Sequence, residues 1–564
     1  MGNMEFNSGK YYLYEELKDN LLSMESEFSD LAEVYPIGKS HQGREILMIE
    51  ISADNGRNLD KPGYYIDGNT HPEELSGSTV ALSIAWDLLS GYGKDERITR
   101  LLDWQVFYIV PRLNPDAAEF CLTEPYYAWH GNGRYVPGEE QAGPGLHYKD
   151  INDDGCIVDM RVKDEKGEWK VSDKDPRVML QREPDEFGGE FYRMFPEGYI
   201  EEFDGAEISV PKPRDGNLNR NYPYGWGPEG EQYGAGDYPM SEPEAEALVK
   251  FVDDHPNIVG GINFHTNAGL ILPPMGIKGE DIPYPDKRLF QRIGEMGEEE
   301  TGYEVLMDES KFSPAGSTSD DYRMGTAGDF FYGQKGMLPF TVELWDVHTA
   351  AGIDKDWYYP VRDLSEDRKL KLMKWNDEKL NGDGFINWTK FDHPQLGEVE
   401  IGGWKRLFMF RNPPPGEKLE EMCRKNREFA LRHAATSPRL EIESLEIENL
   451  SEGVFKLSAV VANQGYLPTN LTERSKEIEA IEPVKVSLEA DGVNLVNGPA
   501  ERNIGDLSGR AERYQKYDRF RDWGQPQKKV EWIFETDNDQ PEEVTVKACS
   551  EKGGNVKRIV DLSN

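Results

Sequence analysis

No stretch of this 564-residue chain approaches the ~18 consecutive apolar residues that a membrane-crossing helix needs. Cysteine is scarce as well. Cys121, Cys156, Cys423 and Cys549 lie far apart with no CxxC pair, which argues against a disulfide scaffold and against a cysteine zinc site. Positive charge is in short supply, with 64 Lys+Arg against 105 Asp+Glu and a formal net charge of −41. Nucleic acids and anionic membranes both need basic patches, so neither is expected as a partner. The opening Met1-Gly2-Asn3-Met4-Glu5-Phe6 has no basic segment followed by an apolar one, so the chain as given carries no secretory signal. A cytoplasmic protein and a secreted one with its signal removed both fit, and the oligomeric state stays open. What is present is ample core material: 37% hydrophobic and 11% aromatic residues exclude wholesale disorder. The length exceeds one ordinary core and implies two domains or three.

Periodicity divides the chain. Leu13, Leu17, Leu21, Met24, Phe28 and Leu31 recur at helical spacing and stop before Tyr35-Pro36. Short β-type runs follow at 46–51, 64–66, 106–110, 258–264 and 340–344, with helical patterns near 75–91, 242–254 and 286–300 between them. Ser241-Glu242-Pro243-Glu244 has the form of a capping box, and a last helical stretch covers about 416–435. Alternating strands and helices predict an α/β domain, residues 1–436, with a mixed, largely parallel sheet flanked by helices. Residues 121–213, rich in Gly, Pro, Asp and Glu, interrupt it as a long insertion. From 437 to 564 the period falls to two, as in Val454-Phe455-Lys456-Leu457, which predicts an all-β sandwich as a second domain.

With nine His residues, each can be weighed. His71 and Glu74 follow the strand pattern at 64–66, and a three-residue step can aim an imidazole and a carboxylate at one metal. Taken alone, such a pair is more often a salt-bridged loop. His265 ends a second apolar run, at the strand edge where open α/β sheets collect ligands. Together the three make a two-His, one-carboxylate zinc set with a position left for water. Glu343 interrupts a third apolar run. A buried carboxylate there needs either a salt bridge or a task such as general base.

The order and context of six motifs resemble the zinc metallocarboxypeptidases of the carboxypeptidase A type. They are His71-x-x-Glu74, Asn114-Pro115-Asp116, Asn219-Arg220-Asn221, Ser241 to Glu244, Phe264-His265 and Phe340-Thr341-Val342-Glu343-Leu344. The resemblance implies that His71, Glu74 and His265 hold Zn²⁺. It implies that Glu343 activates the water on that zinc and then protonates the leaving amine. Asn219 and Arg220 resemble the pair that grips the terminal carboxylate, and Tyr322 the tyrosine that closes over it. The family's oxyanion arginine belongs between Asn114 and Asn219. Arg161, after the bulky Met160, is the choice, with Arg134, Arg182 and Arg193 as alternatives.

The resemblance has departures. Glu73 is acidic where digestive relatives carry arginine, hinting that acidic substrates are repelled. Thr266-Asn267 replaces the usual Ser-Tyr, and Gly328 stands at the base of the specificity pocket, implying room there. Within the insertion, Asp150, Asn152, Asp154 and Gly155 have the spacing of a Ca²⁺ loop, although Arg161 holds the twelfth position; an ion-free Asx turn is the alternative. His147 reads as packing, and His41, His130, His255, His348, His393 and His433 as structural. The leading expectation is a carboxypeptidase acting on peptides with a free C-terminus, with the sandwich as an accessory domain. The alternatives are a zinc amidohydrolase or deacylase on the same fold, and a non-catalytic protein that binds peptide tails.

Overall fold

The structure is a computed structural model. It describes residues 6–53, 58–139, 141–205, 207–213, 216–274, 280–307, 323–354, 364–490, 492–513, 524–536 and 543–562. An eight-stranded sheet organises the first part, in the order Ala32–Lys39, Glu45–Ile51, Val106–Val110, Gly63–Gly68, Ile258–Thr266, Leu338–Leu344, Leu270–Leu272, Glu304–Val305. The four central strands run parallel to one another and the others pair antiparallel around them, apart from the last two, which are mutually parallel. Helices cover both faces, so the central strands are apolar at nearly every position. Tyr64 and Ile66 pack to one side with the helices Leu75–Gly91, Tyr284–Thr301 and Glu417–Ala434. Tyr65 packs to the other side with Pro243–Asp254. No described helix is long and apolar enough to cross a membrane.

Two local expectations are corrected. The segment around Tyr35-Pro36 is the edge strand Ala32–Lys39, not merely the end of a helix. An edge position tolerates a proline because one side of the strand has no partner to satisfy. The Ser241 capping box does not form. The helix starts at Pro243 with Glu242 as its N-cap, and Ser241 Oγ donates to Glu242 Oε1 at 2.8 Å.

The described residues of the insertion form strands. Its strands Asp159–Lys163, Trp169–Val171, Met179–Gln181 and Tyr192–Pro196 join a distant hairpin, Phe385–His393 and Gly397–Trp404, in one six-stranded antiparallel sheet. Leu146, Met160, Phe195, Val399 and Ile401 form its small core.

The described strands between 440 and 561 form two four-stranded antiparallel sheets closed over Leu457, Val461, Val486, Trp532, Phe534 and Val546. This β-sandwich is tied to the first part by buried polar groups. Asp286 accepts from the backbone N–H of Glu473 (2.8 Å) and Arg474 (3.0 Å), and Thr472 Oγ1 donates to the Gly336 carbonyl at 2.8 Å. Lys552, on a turn of the sandwich, donates to the carbonyls of Pro256 (2.6 Å) and Ile258 (2.8 Å), where a central strand begins. Burial pushes this ammonium down to about 8 from the ordinary 10.5. Lys552→Met should therefore cost about 2 kcal/mol by leaving two buried carbonyls unpaired, read as a shifted urea midpoint. The depressed value also sets a sign. Between about pH 8 and 10.5 the unfolded chain holds the proton that the folded chain has released, so the advantage of wild type over Lys552→Met should grow with pH across that window. An advantage that shrinks there would contradict this account.

Candidate metal centre

Three parallel strands end at one edge of the sheet. Register pairs His265 directly with Glu343 on one side and Phe264 with Gly68 on the other. Beyond Gly68 the chain turns, with Glu74 N–H donating to the His71 carbonyl at 3.2 Å, and Glu74 becomes the N-cap of the helix Leu75–Gly91. That helix packs onto the strands through glycine. A Cβ on Gly68 would lie 2.4 Å from the Gly77 carbonyl, and one on Gly77 would lie 2.9 Å from the Phe264 oxygen. The contact fixes the height of the turn that carries His71 and Glu74.

The three side chains meet. His71 Nδ1 lies 3.0 Å from Glu74 Oε1, His265 Nδ1 lies 2.9 Å from Glu74 Oε2, and the two Nδ1 atoms are 3.2 Å apart. Among the described residues this is the one group of His, Cys, Asp or Glu with metal-holding geometry, its donor atoms all within 4.8 Å. His71 Nε2 is 3.1 Å from Asn217 Oδ1, an acceptor, so the proton sits on Nε2 and the Nδ1 lone pair faces the other donors. Burial disfavours the charged forms; it prevails at His71, whose pKa is lowered, and is outweighed by mutual attraction at Glu74 and His265. The two imidazoles hold Glu74 below the usual carboxylate range, and Glu74, Glu343 and Asp67 push His265 up to about 9. A place that favours a proton so strongly is one of negative potential, and two imidazole nitrogens with one carboxylate are the donor set of hydrolytic zinc sites. The residues fit Zn²⁺.

Glu343 is buried beside the trio. Burial first, and then the Glu74 charge, push its carboxyl up to about 7, against the easing effect of His265, Arg323 and Arg411. Asn219 Oδ1 accepts from Ala327 N–H at 2.9 Å, and half-buried Arg220 donates from Nη1 to the Asn219 carbonyl at 2.6 Å. A Cβ on Gly328 would meet only Thr341 Oγ1, at 3.7 Å, so the position is open. Tyr322 lies outside the described residues.

Some neighbours of the trio escape sequence reasoning. His130, expected to be structural, holds its ring 4.8 Å from that of His71, tilted by 36°, and bonds Glu73 Oε1 through Nδ1 at 2.6 Å. The Glu73 charge raises its pKa above the ordinary value, outweighing burial. Asn217 touches both imidazoles, its Nδ2 lying 3.4 Å from His130 Nε2. It stands two residues before Asn219, just outside the Asn219-Arg220-Asn221 motif. Glu73 itself is 1% exposed and paired with His130 and, at 3.6 Å, with Arg411. Its charge is neutralised inside the protein, so the expected repulsion of acidic substrates loses its basis.

Arg161 is not beside the trio. It sits in the six-stranded sheet, where its Nε donates to Glu400 at 2.9 Å and its guanidinium lies over Trp388 (4.5 Å) and Tyr192 (5.0 Å). Successive strand residues face opposite sides, so Met160 enters the small core of this sheet while Arg161 packs on the other face. The alternatives are also engaged elsewhere: Arg134 with Glu242, Arg182 with the Glu186 carbonyl, and Arg193 over Phe195. The expected Ca²⁺ loop closes on its own backbone. Asp150 accepts from Gly155 N–H (2.9 Å), Asn152 from Asp154 N–H (3.1 Å) and Asp154 from Cys156 N–H (3.0 Å), the Asx-turn arrangement. Nothing in it supports calcium. His147 bonds the Gly143 carbonyl at 2.9 Å and stacks on Tyr199.

A parallel-centred α/β sheet with a two-His, one-carboxylate set at its edge defines a metallohydrolase. The chain belongs to the zinc carboxypeptidase family, peptidase M14, whose pattern it matches over residues 17–367. Residues 439–561 match a domain of unknown function, DUF8731. Metallocarboxypeptidase A of Trichophyton tonsurans is 31% identical over 137 residues, 24% of this chain and 32% of that one. A zinc carboxypeptidase of Saccharothrix mutabilis subsp. capreolus is 27% identical over 135 residues, 23% and 31% of the two chains. The matched part thus spans about a third of these relatives' length. Among solved structures, thrombin-activatable fibrinolysis inhibitor aligns over 76% of this chain and 74% of its own at 16% identity, TM-score 0.43. Carboxypeptidase A from Helicoverpa armigera aligns over 66% and 74% at 15% identity, TM-score 0.39.

Proposed function

We propose that the chain is a zinc-dependent carboxypeptidase that releases the C-terminal residue of peptides. The observation that carries the reading is the convergence of His71, Glu74 and His265 with Glu343 as the register neighbour of His265. Zinc held by the trio supplies Lewis acidity toward water and the scissile carbonyl. Glu343 takes the proton from the attacking water and returns it to the leaving amine, and a carboxyl raised by burial suits both steps. Arg220 and Asn219 grip the terminal carboxylate, with Tyr322 closing over it. Residues 1–436 form the catalytic unit and 437–564 an accessory one.

His130 takes the part first given to Arg161. Protonated, its imidazole, held by Glu73 through Nδ1, donates from Nε2 to the carbonyl oxygen as charge develops there, in place of its contact with Asn217 Nδ2. His130→Ala should then lower kcat/KM about 100-fold with zinc retained. An unchanged rate would remove this role.

The direct test is zinc content measured together with amino-acid release from N-blocked dipeptides. About one zinc per chain with release supports the reading. Full zinc with no release from any peptide, but hydrolysis of acylated amino acids, would replace it with a deacylase.

A further inference from the structure

The short helix Glu473–Glu477 of the sandwich docks on the chain that follows Gly328. Asp286, which takes the backbone N–H of Glu473 and Arg474, also accepts from Tyr332 Oη at 2.8 Å, so one buried carboxylate ties both sides. Thr472 holds the Gly336 carbonyl, and a Cβ on Gly336 would collide with Ser475. Between these contacts Arg474 reaches across. Its Nε donates to the Gly333 carbonyl at 3.0 Å and its Nη2 to Tyr224 Oη at 2.9 Å. Tyr224 in turn donates to Glu280 at 2.6 Å, and a Cβ on Gly333 would collide with the Tyr224 ring.

The two groups that Arg474 joins lead back to the candidate site. Tyr224 closely follows Arg220 in the chain, and Gly333 closely follows Gly328. The helical turns Ala327–Asp329 and Phe330–Gln334 run on from one to the next. Their near end is bonded to the other segment, Ala327 N–H donating to Asn219 Oδ1 and Tyr222 N–H to the Gly325 carbonyl at 3.0 Å. Tyr222, Ala327, Phe330 and Phe331 share one core with Tyr224 against it, and close packing passes a shift of one segment to the other. A planar guanidinium with donors in a fixed fork sets the spacing of the two groups it bridges, which an ammonium does not. We propose that Arg474 is a positioning residue for the substrate's terminal residue: from the sandwich, it fixes the chain of Asn219 and Arg220 against the chain of Gly328. The inference rests on the carboxypeptidase reading. It gives the second domain a part in substrate binding that an appended folding module would not have.

The test uses the full-length zinc enzyme and an N-blocked dipeptide that the wild type cleaves. Arg474→Ala should raise KM about 10-fold and leave kcat within about twofold, because a grip on the terminal residue serves ground state and transition state alike. Arg474→Lys keeps the charge but loses the fork, so it should not restore KM. Tyr224→Phe removes one of the two bridged groups and should raise KM about threefold. In the Arg474→Ala background it should add nothing, since both changes cut one bridge. The control is Lys552→Met, which weakens the same domain contact at the start of a central strand, and its KM should stay within about twofold of wild type. An Arg474→Ala enzyme with the wild-type KM overturns the proposal. So does a Lys552→Met enzyme whose KM rises as much as that of Arg474→Ala. Should Arg474→Ala lose zinc or cooperative melting, Arg474→Lys and Tyr224→Phe decide by the same readout. A wild type that releases nothing from any peptide at full zinc overturns the carboxypeptidase reading itself, and the part of Arg474 with it.

Discussion

Glu343→Gln should leave zinc bound and lower kcat by about 10²- to 10⁴-fold, the range for losing a positioned acid–base group. The substitution keeps shape and volume, so the strand Leu338–Leu344 and its pairing with His265 should persist. It also removes one of the carboxylates that burial and the neighbouring Glu74 make costly to ionise. The variant should therefore fold at least as stably as wild type, because an amide carries no buried charge. A lower rate with an unshifted or raised melting temperature separates chemistry from structure. An active Glu343→Gln enzyme would remove the general base from the mechanism, and a variant without zinc would mean that Glu343 supports the metal instead.

The second large effect concerns the trio. Stripping zinc with a chelator should abolish turnover and lower the melting temperature, since a ligand at about a thousand times its Kd stabilises by about 4 kcal/mol. Restored zinc should reverse both changes. Glu74→Gln should lower zinc affinity by more than the 10- to 100-fold typical of an outer partner, because this carboxylate holds both imidazoles. Its own stability should fall by about 3–5 kcal/mol, the cost of breaking a buried charge pair. The chelator should then shift the Glu74→Gln melting curve hardly at all. A wild-type enzyme whose rate and melting ignore chelation would overturn the metal assignment.

The elements legible in the sequence are those whose physics is local. The central strands show as unbroken apolar runs because helices cover both faces, and the helices Leu75–Gly91 and Tyr284–Thr301 show their period. The edge strand Ala32–Lys39 was masked by Pro36, and the hairpin at 385–404 by its exposed polar alternation. At the site, His71, Glu74, His265 and Glu343 stand at strand ends within motifs of a familiar order. His130 and Asn217 meet their partners across 57 and 146 residues of chain, and nothing in their immediate neighbours encodes those contacts. Arg161 misled because a charged residue flanked by Met160 and Val162 fits an antiparallel strand as well as an active-site loop.

The sheet of the insertion has a consequence for the order of events during synthesis. Arg161 finds Glu400 only after another 239 residues have been made. At about 5–20 residues per second, the edge strand Asp159–Lys163 waits roughly 12–50 s for its neighbour Gly397–Trp404. During that interval a row of backbone N–H and C=O groups stands open beside Met160, which only later joins Val399 and Ile401 in the small core. The nascent chain is thus most exposed to mispairing before its C-terminal third emerges, and a holdase acting on that interval would matter more to yield than one acting on the finished protein.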